Sequence, residues 1–130
     1  MTIKVYSKSK DGNKKLSTNF KVKEFACSDG SDPIFIDSEL VEVLQKIRSH
    51  FGKSVTITSA YRTPTHNKNV GGTTYSQHLY GKAADIKVSG VSPEKVVAYA
   101  EKILTATGGI GIYKTFTHID VRGSKSRWIG

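Results

Sequence analysis

The sequence predicts a single α+β domain with an antiparallel or mixed sheet. Its 130 residues suit one domain of ordinary size. Two segments have the apolar spacing of amphipathic helices, and several others have the β-branched, alternating pattern of short strands. Most connections between them are short turns, which favours this fold class. No apolar run approaches the ~20 residues of a membrane span.

The first half of the chain contains a well-marked helix. Met1–Asn19 is polar and is predicted as a short hairpin or a loose arm. Asp37–Phe51 is predicted as a helix because apolar residues recur at helical spacing, Asp37 is a suitable N-cap and Gly52 is a suitable stop. Val55–Tyr61 is rich in β-branched residues and is predicted as a strand.

The second half contains one more helix and three strands. Ser92-Pro93-Glu94 combines a cap, a proline at the first helical position and an acid in the first turn, so a helix is expected to begin there. It should end near Gly108. The strands are predicted at Ala84–Val88, Ile110–Tyr113 and Phe116–Val121, and the last two should form a hairpin.

The net charge of +9 is concentrated at the two ends of the chain. Residues 1–23 carry seven lysines and one acid, which gives +6, and residues 114–130 carry four basic residues and one acid, which gives +3. Such ends suit a polyanion or simply keep the protein soluble. No aromatic-interleaved basic stripe or recognised motif indicates a nucleic-acid partner. If the ends bind a polyanion, the expected partner is an anionic cell-wall polymer rather than nucleic acid.

Two histidines and two carboxylates are expected on one face of the sheet. His118 and Asp120 alternate with apolar residues in their strand, and Asp85 does so in another. Gly81 permits a sharp bend that can bring His78 over the same face. Two imidazoles and a carboxylate with an open fourth position form the ligand set of a catalytic zinc site. The alternative is that the two histidines are unrelated.

Three motifs, in order along the chain, carry a resemblance to a known family. They are Ser59-Ala60-Tyr61-Arg62-Thr63-Pro64, the S-x-H-x-x-G-x-A-x-D pattern from Ser76 to Asp85, and His118-Ile119-Asp120-Val121-Arg122-Gly123. Together they resemble the M15 family of zinc D-alanyl-D-alanine carboxypeptidases and related peptidoglycan endopeptidases. The resemblance extends from about Phe20 to Trp128, which is nearly the whole chain.

The resemblance implies both a fold and a cofactor. The fold is that of hedgehog domains and DD-peptidases, in which one sheet carries the zinc site and helices pack on its other face. Residues 20–130 would form this domain, after a basic segment at residues 1–19. His78, Asp85 and His118 match the family's ligands for one zinc ion per chain.

The resemblance also implies which residues act on the substrate. Arg62 matches the arginine that holds the substrate and stabilises the developing negative charge, and Tyr61 and Ser76 are expected to contact the substrate beside it. Many members carry a general base three residues before the last zinc histidine, where this chain has Thr115. Asp120 is the carboxylate available instead, either as the base or as a partner that orients a histidine.

The implied activity is hydrolysis of peptide bonds involving D-amino acids in peptidoglycan stem peptides, by a carboxypeptidase or an endopeptidase. Thr115 leaves open a catalytically silent zinc module for wall binding or structure, for which hedgehog domains are a precedent. We expect a monomer that acts on the cell wall without a membrane partner. No signal peptide opens the chain, which is consistent with an endolysin of phage or prophage origin made in the cytoplasm, and equally with a domain of a larger protein.

Overall fold

Nine strands and four α-helices make up residues 2–130, which are the residues that the computed structural model describes. The strands are β1 (Ile3–Ser7), β2 (Lys15–Ser17), β3 (Phe20–Lys21), β4 (Pro33–Asp37), β5 (Val55–Ser59), β6 (Ala83–Val88), β7 (Gly109–Ile112), β8 (Thr117–Asp120) and β9 (Ser126–Ile129). The helices are α1 (Lys8–Asp11), α2 (Ser38–Phe51), α3 (Pro64–Asn69) and α4 (Pro93–Ile103). Two short 3-10 helices lie at Val22–Phe25 and Gln77–Tyr80.

The main sheet has five strands in the order β5-β6-β8-β7-β9. Its pairs are antiparallel except for β7 and β9, which run parallel. Two smaller antiparallel pairs, β1 with β4 and β2 with β3, lie outside it. The predicted α+β class with a mixed sheet is therefore confirmed. Within residues 2–130, none of the helices has both the length and the apolar character needed to cross a membrane.

The helix α2 forms as the sequence predicts. The Asp37 side chain accepts the backbone N–H of Glu39, and Gly52 ends the helix in the left-handed conformation. One side of α2 is apolar and fully buried, including Leu40, Leu44 and Ile47. That side packs toward β4, α4 and the main sheet, so burial of apolar surface holds the helix in place.

The helix α4 begins at the predicted cap but ends earlier than predicted. Ser92 accepts the N–H of Lys95, while the last helical residue is Ile103 rather than one near Gly108. Two threonines follow Leu104, and β-branched residues are weaker helix formers. The guanidinium of Arg127 also binds the carbonyl oxygens of Leu104 and Gly108. These contacts place hydrogen-bond donors on carbonyl groups just beyond the helix end.

The N-terminal residues pack onto the domain through a distant partner. The strand β1 pairs with β4, so that Tyr6 lies opposite Ile34 and Lys4 opposite Ile36. This arrangement differs from both the predicted hairpin and the predicted loose arm. The reason is that the partner strand lies about thirty residues further along the chain, where no local turn signal points to it. The division of the chain at residue 19 stays a prediction.

The main sheet separates an apolar face from a polar one. Ile86 and Ile119 face the side covered by α2 and α4, and both are fully buried. Asp85 and His118 alternate with them and lie on the opposite face. This alternation is the one that the sequence predicted, and it gives the polar residues a common surface.

Candidate metal centre

Three side chains converge on the polar face of the main sheet. One ligating atom from each of His78, Asp85 and His118 lies within 4.8 Å of the other two. Two of these residues are placed by strand register, since Asp85 on β6 and His118 on β8 are direct cross-strand partners. Directly opposite residues of an antiparallel pair project to the same face with adjacent Cβ atoms. Sheet pairing alone thus fixes two of the three groups.

The third group, His78, reaches the face because the chain bends sharply at Gly81. His78 lies in the 3-10 helix Gln77–Tyr80, and Gly81 ends this helix with φ +73°. A Cβ at residue 81 would also lie 2.3 Å from the carbonyl oxygen of Phe35, so the close approach requires glycine. At the other end, the Ser76 hydroxyl accepts the backbone N–H of His78 at 3.3 Å.

Each imidazole has one nitrogen held by the protein and the other turned toward Asp85. His78 Nδ1 donates to the carbonyl oxygen of Ala60 at 2.7 Å, which leaves Nε2 3.4 Å from Asp85 Oδ2. His118 Nε2 lies 2.8 Å from Asp120 Oδ2, and its Nδ1 lies 3.0 Å from Asp85 Oδ1. Metal-binding histidines are usually oriented in this way by an acceptor on the far nitrogen. The donor set of two imidazoles and one carboxylate fits a zinc ion.

Asp120 lies beneath His118 and is fully buried. Its Oδ1 accepts the backbone N–H groups of Gly109 and Arg122 and the Nε–H of Arg122, at 2.8 to 3.2 Å. Its Oδ2 accepts Arg122 Nη2 and faces His118 Nε2. Five hydrogen bonds therefore surround this carboxylate, and it has no exposed surface from which to reach a substrate.

The electrostatics of the site favour ionised carboxylates. Burial opposes the negative charge of Asp85 and of Asp120, but hydrogen bonds from His118 outweigh it, aided by His78 at Asp85 and by Arg122 at Asp120. The pKa of both carboxyls is therefore held well below its usual range. Burial lowers the pKa of His118. The neighbouring carboxylates of Asp120 and Asp85 raise it by more than burial lowers it, so the net shift of the pKa is upward. Two anionic groups around one imidazole attract a cation to this point.

A cleft of about 500 Å³ opens over the three side chains. The predicted substrate-binding residues Arg62 and Ser76 both line it. Arg62 is held by hydrogen bonds from Nε to Ser59 Oγ at 3.1 Å and from Nη1 to Asn67 Oδ1 at 3.3 Å, and its Nη2 lies 3.6 Å from Asp85 Oδ2. A cationic side chain, held by two hydrogen bonds, thus lies directly beside the three potential metal ligands.

Two residues considered in the sequence lie away from the cleft. Tyr61 is buried, and its ring packs against Phe35 with centroids 5.2 Å apart, so the structure places it in the core rather than beside a substrate. Its side chain is directed to the apolar side, where it adds to the core cluster. Thr115 lies near the β7–β8 turn and lines another cavity. Among residues 2–130, Asp85 is the one carboxylate that lines the cleft.

Among the cleft residues that were not predicted as site residues, three interact with one another beside His118. The Trp128 ring lies 4.9 Å from the His118 ring. Trp128 Nε1 donates to the Tyr113 hydroxyl at 2.9 Å, and the Arg122 guanidinium lies 5.4 Å from the indole centroid. All three line the cleft. The sequence feature that corresponds to the position of Trp128 is the glycine at residue 111, because a Cβ there would lie 2.5 Å from the indole.

Comparison with known proteins agrees with this geometry. The family model "Peptidase M15" matches residues 18–120. A zinc D-Ala-D-Ala carboxypeptidase from Streptomyces albus G is 46% identical over 44 residues. This match covers 33% of the present chain and 17% of the relative's length.

Proposed function

The chain belongs to the peptidase M15 family, and from that premise we propose that it is a zinc peptidase that hydrolyses peptide bonds involving D-amino acids in bacterial peptidoglycan. The observation that carries the proposal is the convergence of His78, Asp85 and His118 at the base of a cleft bordered by Arg62. The name of the Streptomyces relative supports a substrate of the D-Ala-D-Ala type. The proposal has two forms: a carboxypeptidase, which cuts the terminal bond, and an endopeptidase, which cuts an internal one.

We propose one zinc ion per chain, held by His78 Nε2, His118 Nδ1 and the Asp85 carboxylate. These atoms are the ones that face each other after the remaining imidazole nitrogens have been engaged by Ala60 and Asp120. A zinc ion in such a site supplies Lewis-acid polarisation of a peptide carbonyl and makes hydroxide available near neutral pH. The protein contributes the fixed orientation of the ligands and the shape of the cleft.

Arg62 is proposed to hold the substrate carbonyl and to stabilise negative charge on its oxygen. Its Nε and Nη1 are tethered to Ser59 and Asn67, so the guanidinium has little freedom to move away. A preorganised cation beside the reacting carbonyl stabilises the charge that develops in the transition state, without reorganising at the moment of reaction. Ser76 borders the same cleft and is proposed to contact the peptide.

Asp120 is proposed to orient His118 rather than to act as a general base. Its five hydrogen bonds to three residues and its complete burial support this choice between the two roles that the sequence left open. A general base must reach the proton it removes within hydrogen-bond distance, directly or through one water. The Asp120 carboxylate is separated from the cleft by the His118 ring itself, which it holds from behind.

The burial of Asp120 also supports a second candidate function, a zinc-containing module without catalysis. Thr115 replaces the usual acid, and Asp85 is the one carboxylate on the cleft wall among residues 2–130. A module of this kind would bind wall peptides without cutting them. The two candidates predict the same metal site and differ in turnover alone.

The deciding experiment is mass spectrometry of purified peptidoglycan after incubation with the zinc-loaded protein. The proposal predicts new peptide fragments that disappear when a chelator is added and when Arg62 is changed to Gln. Loss of one terminal D-alanine would identify a carboxypeptidase, and release of longer peptides an endopeptidase. Intact wall and intact stem peptides in the presence of full zinc occupancy would instead support the silent module.

A further inference from the structure

A cavity larger than the cleft over the metal centre lies away from that cleft. It is a groove of about 680 Å³ between β1 and β2 on one side and α2 and α4 on the other, on the helical side of the main sheet. None of its lining residues also lines the catalytic cleft. Its floor includes the apolar side chains of Leu16, Ile36 and Val41. A ligand in this groove would leave the metal centre free.

The rim of the groove is cationic. Lys4 on β1 and Lys46 on α2 stand on its two walls, and both are exposed. The Lys14 ammonium lies 5.8 Å from the ring centroid of Tyr6, which also lines the groove. Against these three lysines stands one lining acid, Glu42. The groove therefore presents ammonium groups above an apolar floor.

The positive charge around the groove is not neutralised within the protein. In residues 2–130, none of the side-chain ammonium groups of the seven lysines before residue 24 lies within 4.0 Å of a carboxylate oxygen. The acids that lie near them are already engaged: Asp11 accepts the N–H of Ser7, and Asp32 accepts the Ser7 hydroxyl and the N–H of Ser9. These lysines remain available to an external anion.

Two of the four basic residues at the other end of the chain are used internally. Arg122 forms a two-pronged contact with Asp120. Arg127 binds Glu101 and three backbone carbonyl groups near the end of α4. Of the two charged ends seen in the sequence, the N-terminal one thus carries most of the free charge.

We propose that this groove binds an anionic polymer of the cell wall, composed of polyol or sugar units joined by phosphodiesters, and so holds the domain next to its substrate. The choice of a wall polymer rests on the proposed function. Phosphates of such a chain would pair with Lys4 and Lys46, while the C–H surfaces of the polyol units would cover the apolar floor. Multiple weak contacts along a repeating chain add up to retention on the wall.

Single-stranded nucleic acid also carries phosphodiesters, but the groove suits it less well. Proteins that bind it without sequence preference stack its bases on aromatic rings. Here one face of Tyr99 is stacked on His50, with ring centroids 3.7 Å apart, and the Tyr6 ring is covered by Lys14. Both tyrosines are only partly exposed. The groove offers ammonium groups and aliphatic surface rather than open aromatic platforms.

The test is isothermal titration calorimetry, which measures the affinity of the zinc-loaded protein for lipid-free poly(glycerol phosphate) at ~0.05 M salt. The double variant K4E/K46E should bind at least about tenfold more weakly, because two attractive contacts become repulsive. The matched control K87E/K114E makes the same change in net charge at exposed residues outside the groove, and it should stay within about twofold of wild type. Raising the salt to ~0.3 M should weaken wild-type binding through screening.

Equal loss of affinity in both double variants would overturn the groove as the site, since net charge alone would then explain binding. A single-stranded oligonucleotide of equal charge that binds as tightly as the polymer would overturn the assignment of the ligand. Cleavage of a short soluble peptide containing D-amino acids separates this proposal from the proposed function. Polymer binding without cleavage would contradict only the latter, and cleavage without polymer binding only the former.

Discussion

Asp120 is buried behind the His118 ring. A carboxylate with no exposed surface and five hydrogen bonds to three residues can fix the geometry of those residues, but it cannot approach a substrate. It holds the N–H of His118 Nε2 and thereby leaves Nδ1 free to bind a metal. Partners of this kind raise the basicity of the ligand and fix its ring. His118 and Arg122 supply the hydrogen bonds and the positive charge that keep Asp120 ionised.

The prediction for this residue concerns zinc affinity. Asp120→Asn keeps the shape but removes the negative charge behind His118, so zinc affinity should fall by about 10–100-fold. Competition with a chromophoric chelator measures this directly. The control Asp32→Asn changes an exposed carboxylate near the N-terminus and should leave the affinity unchanged. Unchanged zinc affinity in Asp120→Asn, with turnover reduced by roughly 10²–10⁴, would instead identify a general base.

At the residue scale, the sequence predicted the ligand group and misplaced some of its neighbours. His78, Asp85 and His118 could be brought together in advance because strand alternation and a single glycine determine their directions. Tyr61 could not be placed, because it follows the last residue of β5 and strand alternation no longer determines its direction. Trp128 joins the site through the parallel pairing of β7 with β9, which no local pattern indicates.

At the element scale, β7 shows how one strand serves two surfaces. Its sequence is Gly-Ile-Gly-Ile, and the isoleucine at residue 110 is buried on the core side. The two glycines, at residues 109 and 111, lie on the site side. A Cβ on the first would lie 2.2 Å from Asp120 Oδ2, and one on the second 2.5 Å from the Trp128 ring. The two glycines of β7 therefore leave space on the polar face for the side chains of Asp120 and Trp128.

The N-cap of α2 gives a prediction for the dependence of stability on pH. Asp37 is fully buried, accepts the N–H of Glu39 and pairs with Lys82 Nζ, both at 2.9 Å. Burial opposes its charge, but the Lys82 ammonium and the Glu39 N–H outweigh it, so the pKa of Asp37 is lower in the folded than in the unfolded protein. Its contribution to stability is therefore complete above the unfolded pKa of ~3.9 and is lost as pH falls toward the folded value.

We accordingly expect Asp37→Asn to lower the free energy of unfolding by about 1–2 kcal/mol at pH 7, because it removes the negative charge that faces the Lys82 ammonium and the N-terminus of α2. The difference from wild type should shrink as the pH is lowered below ~4. Urea unfolding at a series of pH values measures both effects. The control Glu42→Gln, on the exposed side of the same helix, should stay within ~0.5 kcal/mol. A difference that persists unchanged to pH 3 would contradict the assignment.

Elements that depend on local signals were predicted well, and those that depend on distant partners were not. α2 has its cap, apolar spacing and glycine stop within its own sequence. β1 has none of these, and it becomes a strand because β4 lies beside it. The early end of α4 likewise involves Arg127, a side chain more than twenty residues away.

At the scale of the whole molecule, the main sheet separates two working surfaces. Its polar face carries the metal centre and the cleft, and the helices on the other face help form the basic groove. The fold class was predictable because helix and strand periodicities are written in the sequence. The strand order β5-β6-β8-β7-β9 was not, because it is set by which edges meet in three dimensions. A protein bound to the wall through one surface would keep the other free for cleavage.

The central claim is that His78, Asp85 and His118 form one zinc site, and counting bound zinc by native mass spectrometry tests it most directly. The wild-type protein should carry one zinc ion per chain. Each of the variants His78→Ala, Asp85→Ala and His118→Ala should lose it, whereas His66→Ala, which removes a histidine bonded to Ser28 outside the group, should retain it. Wild-type protein that stays zinc-free in excess metal, or His78→Ala that binds zinc undiminished, would contradict the account.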